Sequence, residues 1–230
     1  MEFQNKLVHG TLIKRYKRFL ADIKLADGSE VVAYCTNSGS MKSCIEIGAE
    51  VYLSPVSDLI RKTKFTWEMI KIGNSWVGIN TGNPNKLAFE AILYGMIPDL
   101  SGYTNVLREV VFGDSRFDIF AENESEKCFV EVKNVTLKDG KYALFPDAVT
   151  TRGQKHLKTL MEVKRNGMRA VMFYIVQRTD VEVFAPAKEI DPDYDKALKL
   201  AVEDGVEIIV MQANVSPEKI ELTKNLPVEI

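Results

Sequence analysis

Residues 115–134, SRFDIFAENESEKCFVEVKN, hold three side chains able to do phosphoryl chemistry within the length of one hairpin. Asp118 lies at the end of an apolar-flanked strand, a polar ENESEK loop follows, and a second strand carries Glu131 and Lys133 two residues apart. Side chains alternate along a strand, so Glu131 and Lys133 point the same way. Pairing of the two strands brings Asp118 toward Glu131. Two carboxylates beside a lysine can hold a hard divalent cation, Mg²⁺ or Mn²⁺, and polarise a phosphodiester. A Glu-Val-Lys strand also reads as a solvated face with a weak cross-strand ion pair. The apolar setting, CFVEVKNVTL, favours the site, because charges in such a strand must be paired, metal-bound or at its mouth.

Those strands need a scaffold. Over residues 1–80 the pattern is one of short strands: 19–25 and 31–35 about the turn Ala26-Asp27-Gly28-Ser29, then 50–55, 65–72 and 75–80. Five or so strands with little helix predict a small all-β barrel, with the oligonucleotide-binding (OB) fold as first choice and other small barrels as alternatives. Composition changes at Thr81-Gly82-Asn83-Pro84, where Asn83 reads as an N-cap, Pro84 as the first helical residue and Gly95 as the stop. Strands over 107–112, 117–121, 127–135, 170–177 and 207–212, with helices over 151–166 and 192–204, make residues 81–230 an α/β domain.

Composition sets the outer bounds. No apolar run reaches the roughly 18 residues of a membrane helix, and the start, MEFQNKLVHG, lacks the apolar core of a signal peptide. The expectation is a cytoplasmic protein with no membrane partner. Cys35, Cys44 and Cys128 are an odd count without CxxC spacing, which indicates neither disulfides nor zinc. A net charge of −2 argues against a strongly basic nucleic-acid binder. Its distribution is more telling, for basic residues collect in 1–80 and in 138–169 and flank the acidic hairpin.

Further clusters lie around this hairpin. The order helix, Asp-bearing hairpin with Glu-x-Lys, then basic helix is that of the restriction-endonuclease-like, PD-(D/E)XK core. Glu90 on the preceding helix and Glu109 on the adjoining strand are candidate extra acidic ligands in that arrangement, with exposed charges as the plainer alternative. Asp147 in FPDAVTTRGQKHL precedes a basic helix start, where Arg152 and Lys155 suit phosphate and His156 suits phosphate or water. A capped helix with a basic first turn and a structural histidine is the plainer alternative. In the barrel, Lys14-Arg15-Tyr16-Lys17-Arg18-Phe19 interleaves bases with aromatics, as single-strand binding requires and as a solvated edge strand also does. The loop Asn37-Ser38-Gly39-Ser40-Met41 could offer backbone amides to a phosphate.

Taken together, the blocks KRYKRFLADI, CTNSGSMK, FTWEMI, INTGNPNKLAFEAI, SRFDIF, CFVEVKNVTL, FPDAVTTRGQKHL and IDPDYDKALKLAVEDGVEI resemble the sugar fermentation stimulation protein family over nearly the whole chain. The resemblance implies an OB-type barrel over 1–80 joined to a restriction-endonuclease-like domain over 81–230. It implies DNA as partner, a link to regulation of sugar and notably maltose utilisation genes, and a nuclease-like triad at Asp118, Glu131 and Lys133, with Glu90 and Glu109 as helpers. The chain departs from the family's loop in having Thr36 where proline is common and Ser38 where threonine is common. Three readings follow: a metal-dependent DNA nuclease, a non-cleaving DNA-binding regulator, and a protein-interaction or small-ligand module. Whether the chain works alone or as a homodimer is left open.

Overall fold

The computed structural model describes residues 1–58 and 60–230. Val8–Tyr16 (β1), Leu20–Leu25 (β2), Glu30–Tyr34 (β3), Glu50–Pro55 (β4) and Phe65–Ile72 (β5) are the barrel strands. β1 pairs antiparallel with β2 and β4, β2 with β3, and β4 with β5. A short parallel pairing of Ala33 and Tyr34 with Phe65 and Thr66 closes the ring. This is the OB barrel expected from the strand spacing. Alternation drives Leu12, Ile23, Ala33, Val51, Leu53 and Trp67 into its interior. Ser75–Gly78 (β6) extends the sheet beyond β5 and leads into the second domain.

The second domain opens with Asn83–Leu93 (α1) and continues through Asn105–Phe112 (β7), Ser115–Glu122 (β8), Lys127–Val135 (β9), Leu137–Asp139 (β10), Tyr142–Phe145 (β11), Thr151–Arg165 (α2), Arg169–Val176 (β12), Val183–Pro186 (β13), Pro192–Glu203 (α3), Glu207–Val215 (β14) and Ile220–Asn225 (β15). The main sheet has the order β15-β14-β12-β9-β8-β7, and its central strands β9, β12 and β14 run parallel. Parallel strands are buried on both faces. Accordingly Val171, Phe173 and Ile175 pack toward Leu87, Ala91 and Ile92 of α1. Met172, Tyr174 and Val176 pack toward Leu157 and Leu160 of α2 and Leu198 of α3. β10, β11 and β13 form a separate small sheet.

The residue expected to cap α1 does other work. Gly82 occupies the N-cap position with no side-chain cap, while Asn83 donates to the buried carboxylate of Glu68 on β5, 2.9 Å away. Asn80 donates to both oxygens of the same carboxylate. Glu68 thus ties the barrel to the start of the second domain, a pull stronger for Asn83 than the local cap. Arg178, only 1 % exposed, extends the joint. It donates to the carbonyl oxygens of Ser43 in the barrel domain and of Thr136 just past β9, and pairs with Asp180. Gly78 donates its amide to the Gln177 carbonyl at 2.9 Å, and a Cβ there would collide with the Gln177 side chain. A hydrogen bond contributes a net of about 0.5–1.5 kcal/mol once the hydration of the separated groups is counted, so these contacts together resist separation of barrel and sheet.

Candidate metal centre

The site forms where strands β8 and β9 part. Their pairing ends at Ile119 opposite Val130, so the next residues, Asp118 and Glu131, stand at the mouth of the split. On the other side of β8, the pairs Arg108–Ile119 and Val110–Phe117 flank Glu109 and Asp118, which drop out of the ladder between them. Glu109 there adopts a left-handed backbone, φ 58°. Glu109, Asp118 and Glu131 therefore lie in one row across three strands.

Asp118 is held by the backbone of one neighbour and the side chain of another. Its Oδ2 accepts from the Val132 amide at 2.8 Å, and its Oδ1 accepts from Asn85 Nδ2 on the first turn of α1 at 2.5 Å. Burial pushes the Asp118 carboxyl up to about 6, with the charge of Glu131 acting in the same direction and the Val132 amide against it. Glu109 adds a smaller push the same way.

Glu131 is 3 % exposed on the α2 face of β9. Its Oε1 accepts from Lys133 Nζ at 2.5 Å and makes a very short hydrogen bond with His156 Nδ1 from α2. Burial alone would raise this carboxyl, but His156 and Lys133 outweigh it and hold it below the usual glutamate range. Glu131 Oε2 is buried and has no hydrogen-bond partner. His156 Nε2 in turn faces Arg152 Nε at 3.4 Å. Lys133 Nζ, a donor, also lies 3.3 Å from His156 Nδ1, but the far shorter contact of that nitrogen is to a carboxylate that can only accept, which favours a ring proton on Nδ1.

The residues fit a hard divalent cation on two observations: Glu131 Oε2 lacks a donor, and Asp118 beside it bears a charge that its surroundings oppose. A cation placed between the two carboxylates would answer both. Among the described residues no group of three His, Cys, Asp or Glu side chains comes together as a metal cage. Mg²⁺ needs no such cage, since it keeps several waters and uses one or two carboxylates with substrate phosphates.

The other predicted site residues divide. Arg152 and His156 reach the centre, Arg152 from the exposed first turn of α2. Lys155 points elsewhere and is paired with Asp114 at 2.9 Å. Glu90 faces the Met1 ammonium at 3.7 Å and Lys86 at 3.9 Å, and Met1 itself is held by the Ile220 carbonyl of β15. That side of α1 faces the sheet edge, and Asn85 is the α1 residue at the centre. Glu109 is at the rim, 4.0 Å from Arg116.

In the barrel, Arg15 donates to the carbonyls of Asn37, Gly39 and Arg18, and so braces the 37–41 loop from behind. Lys14 pairs with Asp22 and lies over the Tyr16 ring. Lys17 and Arg18, at φ 50° and 64°, form the exposed β1–β2 turn and are the freest bases of this segment. The loop amides expected to meet phosphate turn partly inward, the Met41 amide to Asp147 at 3.3 Å. Asn85, Gln177 and Arg178 carry no sequence signal of their roles, because the partners that define those roles, Asp118, Gly78 and Asn134, and Ser43 and Thr136, are remote in the chain.

An OB barrel fixed to a mixed sheet with an Asp, Glu-x-Lys strand pair defines a two-domain protein of the restriction-endonuclease-like class. The chain belongs to the sugar fermentation stimulation protein family. Residues 82–219 match its restriction-endonuclease (RE) domain and residues 13–79 its N-terminal OB domain. The chain is 52 % identical over 230 residues to the sugar fermentation stimulation protein homolog of Geobacter metallireducens, covering 99 % of each. It is 50 % identical over 231 residues to that of Geotalea uraniireducens, covering 100 % of each. Among solved structures, that of Pyrococcus furiosus SfsA in complex with Ca²⁺ is similar, with a TM-score of 0.90 and 31 % identity over 100 % of this chain and 98 % of that one. No helix among the described residues is long and apolar enough to cross a membrane.

Proposed function

We propose that this protein is a Mg²⁺- or Mn²⁺-dependent nuclease acting on DNA. The reading rests above all on the buried, unpartnered Oε2 of Glu131 beside an Asp118 held near pKa 6. A Ca²⁺ complex of the Pyrococcus relative supports a hard cation at the family's hands. Asp118 and Glu131 would hold the cation, which when bound lowers the pKa of a water and polarises the phosphate. Lys133 extends from the same strand face as Glu131 to the mouth of the split, where its ammonium would meet a phosphate oxygen or orient the attacking water. Arg152, at the helix start, would take a flanking phosphate with the help of the α2 amides. Calorimetry with Mn²⁺, followed by incubation with single- and double-stranded DNA, tests the reading. Heat of binding and products that vanish with chelator are expected; neither heat nor products would overturn it.

A second reading, a non-cleaving DNA-binding regulator of sugar (maltose) utilisation genes, is favoured by one observation. Glu90 is turned away from the centre and, among the described residues, no third acidic, histidine or cysteine side chain completes a metal-holding group with Asp118 and Glu131. In this case the exposed turn Lys17-Arg18 carries electrostatic affinity. Charge reversal at both residues is expected to weaken DNA binding and to lower the slope of log K against log salt by about two. An unchanged slope in a fluorescence titration would remove the barrel turn as a contact.

A further inference from the structure

Between the barrel and the sheet lies a cavity of about 430 Å³, within the size range of small-molecule sites. Asn37 and Ser38 of the barrel loop form one wall; Asn134 of β9 and Thr136 just past its end form another; Leu144 and Phe145 at the end of β11 form an apolar third. Among the described residues no lysine or arginine lines it, and its one acid, Asp147, is engaged by the Met41 amide and the Ser40 hydroxyl. That lining suits a phosphate poorly. It suits a flat, neutral group with both donors and acceptors at its edge.

We infer that this cleft is a nucleobase subsite, so that the substrate strand is unpaired where it enters the protein. The inference takes from the nuclease reading only the position of the phosphate. Asn134 directly follows Lys133 along β9 but faces the other way; the link to the centre is Thr150, which lines the cleft and caps the helix that carries Arg152 and His156, so a base in the cleft would have its own phosphate near the centre. The cleft is also built in advance. Arg15 holds the Asn37 and Gly39 carbonyls, and the Asn37 side chain accepts from the Gly39 amide at 2.9 Å. Gly39 has no room for a Cβ against the Asp147 carboxylate. A preformed loop loses little entropy on binding. A base stacked and paired in a duplex cannot enter a cleft walled on three sides and must first be extruded, whereas a single strand presents it at no such cost. The Arg15–Arg18 contact joins the loop to the basic turn, which would carry the backbone onward.

Fluorescence anisotropy in chelator, with a short single strand and the duplex of the same sequence, reads this directly. The single strand is expected to bind at least about tenfold tighter, and one abasic position in a scan to weaken it by about tenfold. Ser38→Trp, an exposed position filling the cleft, should erase the preference and leave the Mn²⁺ isotherm unchanged. Equal affinity for the duplex, a flat abasic scan, or a preference untouched in Ser38→Trp would each overturn the inference. Absence of Mn²⁺ heat with the preference intact would remove the nuclease reading and leave the base subsite standing.

Discussion

Replacing Glu131 by glutamine is expected to abolish divalent-cation binding and to lower DNA cleavage by at least about a hundredfold, the loss that follows removal of one preorganised electrostatic group. The amide keeps an acceptor for Lys133 and His156 at the Oε1 position and places an NH₂ where the unpartnered Oε2 stands. Geometry is thus preserved while the charge is lost. The change also acts on its neighbour. Glu131 is one of the groups that raise the Asp118 carboxyl, so Asp118 in the variant should titrate lower and stay ionised at neutral pH. Its charge then offers a partial counter-ion to Lys133, which limits the destabilisation that follows when a buried ion pair loses one member. Calorimetry with Mn²⁺, a gel assay for cleavage and carboxyl titration by NMR check the three consequences. Retained Mn²⁺ affinity in the variant would show that the cation does not use Glu131.

How far the site was legible depends on the range of the contacts that build it. Lys127–Val135 and the helix from Thr151 follow from local pattern, since period-two alternation and a capped, periodic helix are properties of consecutive residues. The shared face of Glu131 and Lys133 follows from the same alternation. Asp118 is different: the strand placed it near Glu131, but its partner Asn85 is 33 residues away on α1, and nothing in NPNKL announces that contact. Glu90 looked equivalent by residue type and helix, yet the rotation of α1 against the sheet sends it to the Met1 ammonium. Arg15 had the right company for a phosphate, and only the closure of the 37–41 loop over it shows that its guanidinium serves backbone carbonyls. β10, β11 and β13 run three or four residues each, too short for alternation to register.

Asp118→Asn is expected to stabilise the metal-free protein at neutral pH while removing its response to metal. The folded-state pKa stands at about 6, against 3.8 for an ordinary aspartate. A raised carboxyl means that the folded protein binds a proton which the unfolded chain has already released. Its contribution to stability is therefore full below about pH 4, is lost as pH rises through about 6, and leaves a fixed penalty above. Two pK units correspond to about 3 kcal/mol, or roughly 6–12 °C in Tm for a chain of this length. Asparagine carries no such penalty. Its one carbonyl can keep the Val132 amide, and Asn85 can turn its own amide over to accept from the new NH₂. The melting temperature of the variant should exceed that of the wild type at pH 7.5 and the two should converge near pH 4. Saturating Mn²⁺ should then reverse the order, because binding to the native state alone raises wild-type stability and the variant has lost a ligand. Equal melting temperatures at pH 7.5 would mean that Asp118 is not strained by its burial, and the cation would have no charge there to relieve.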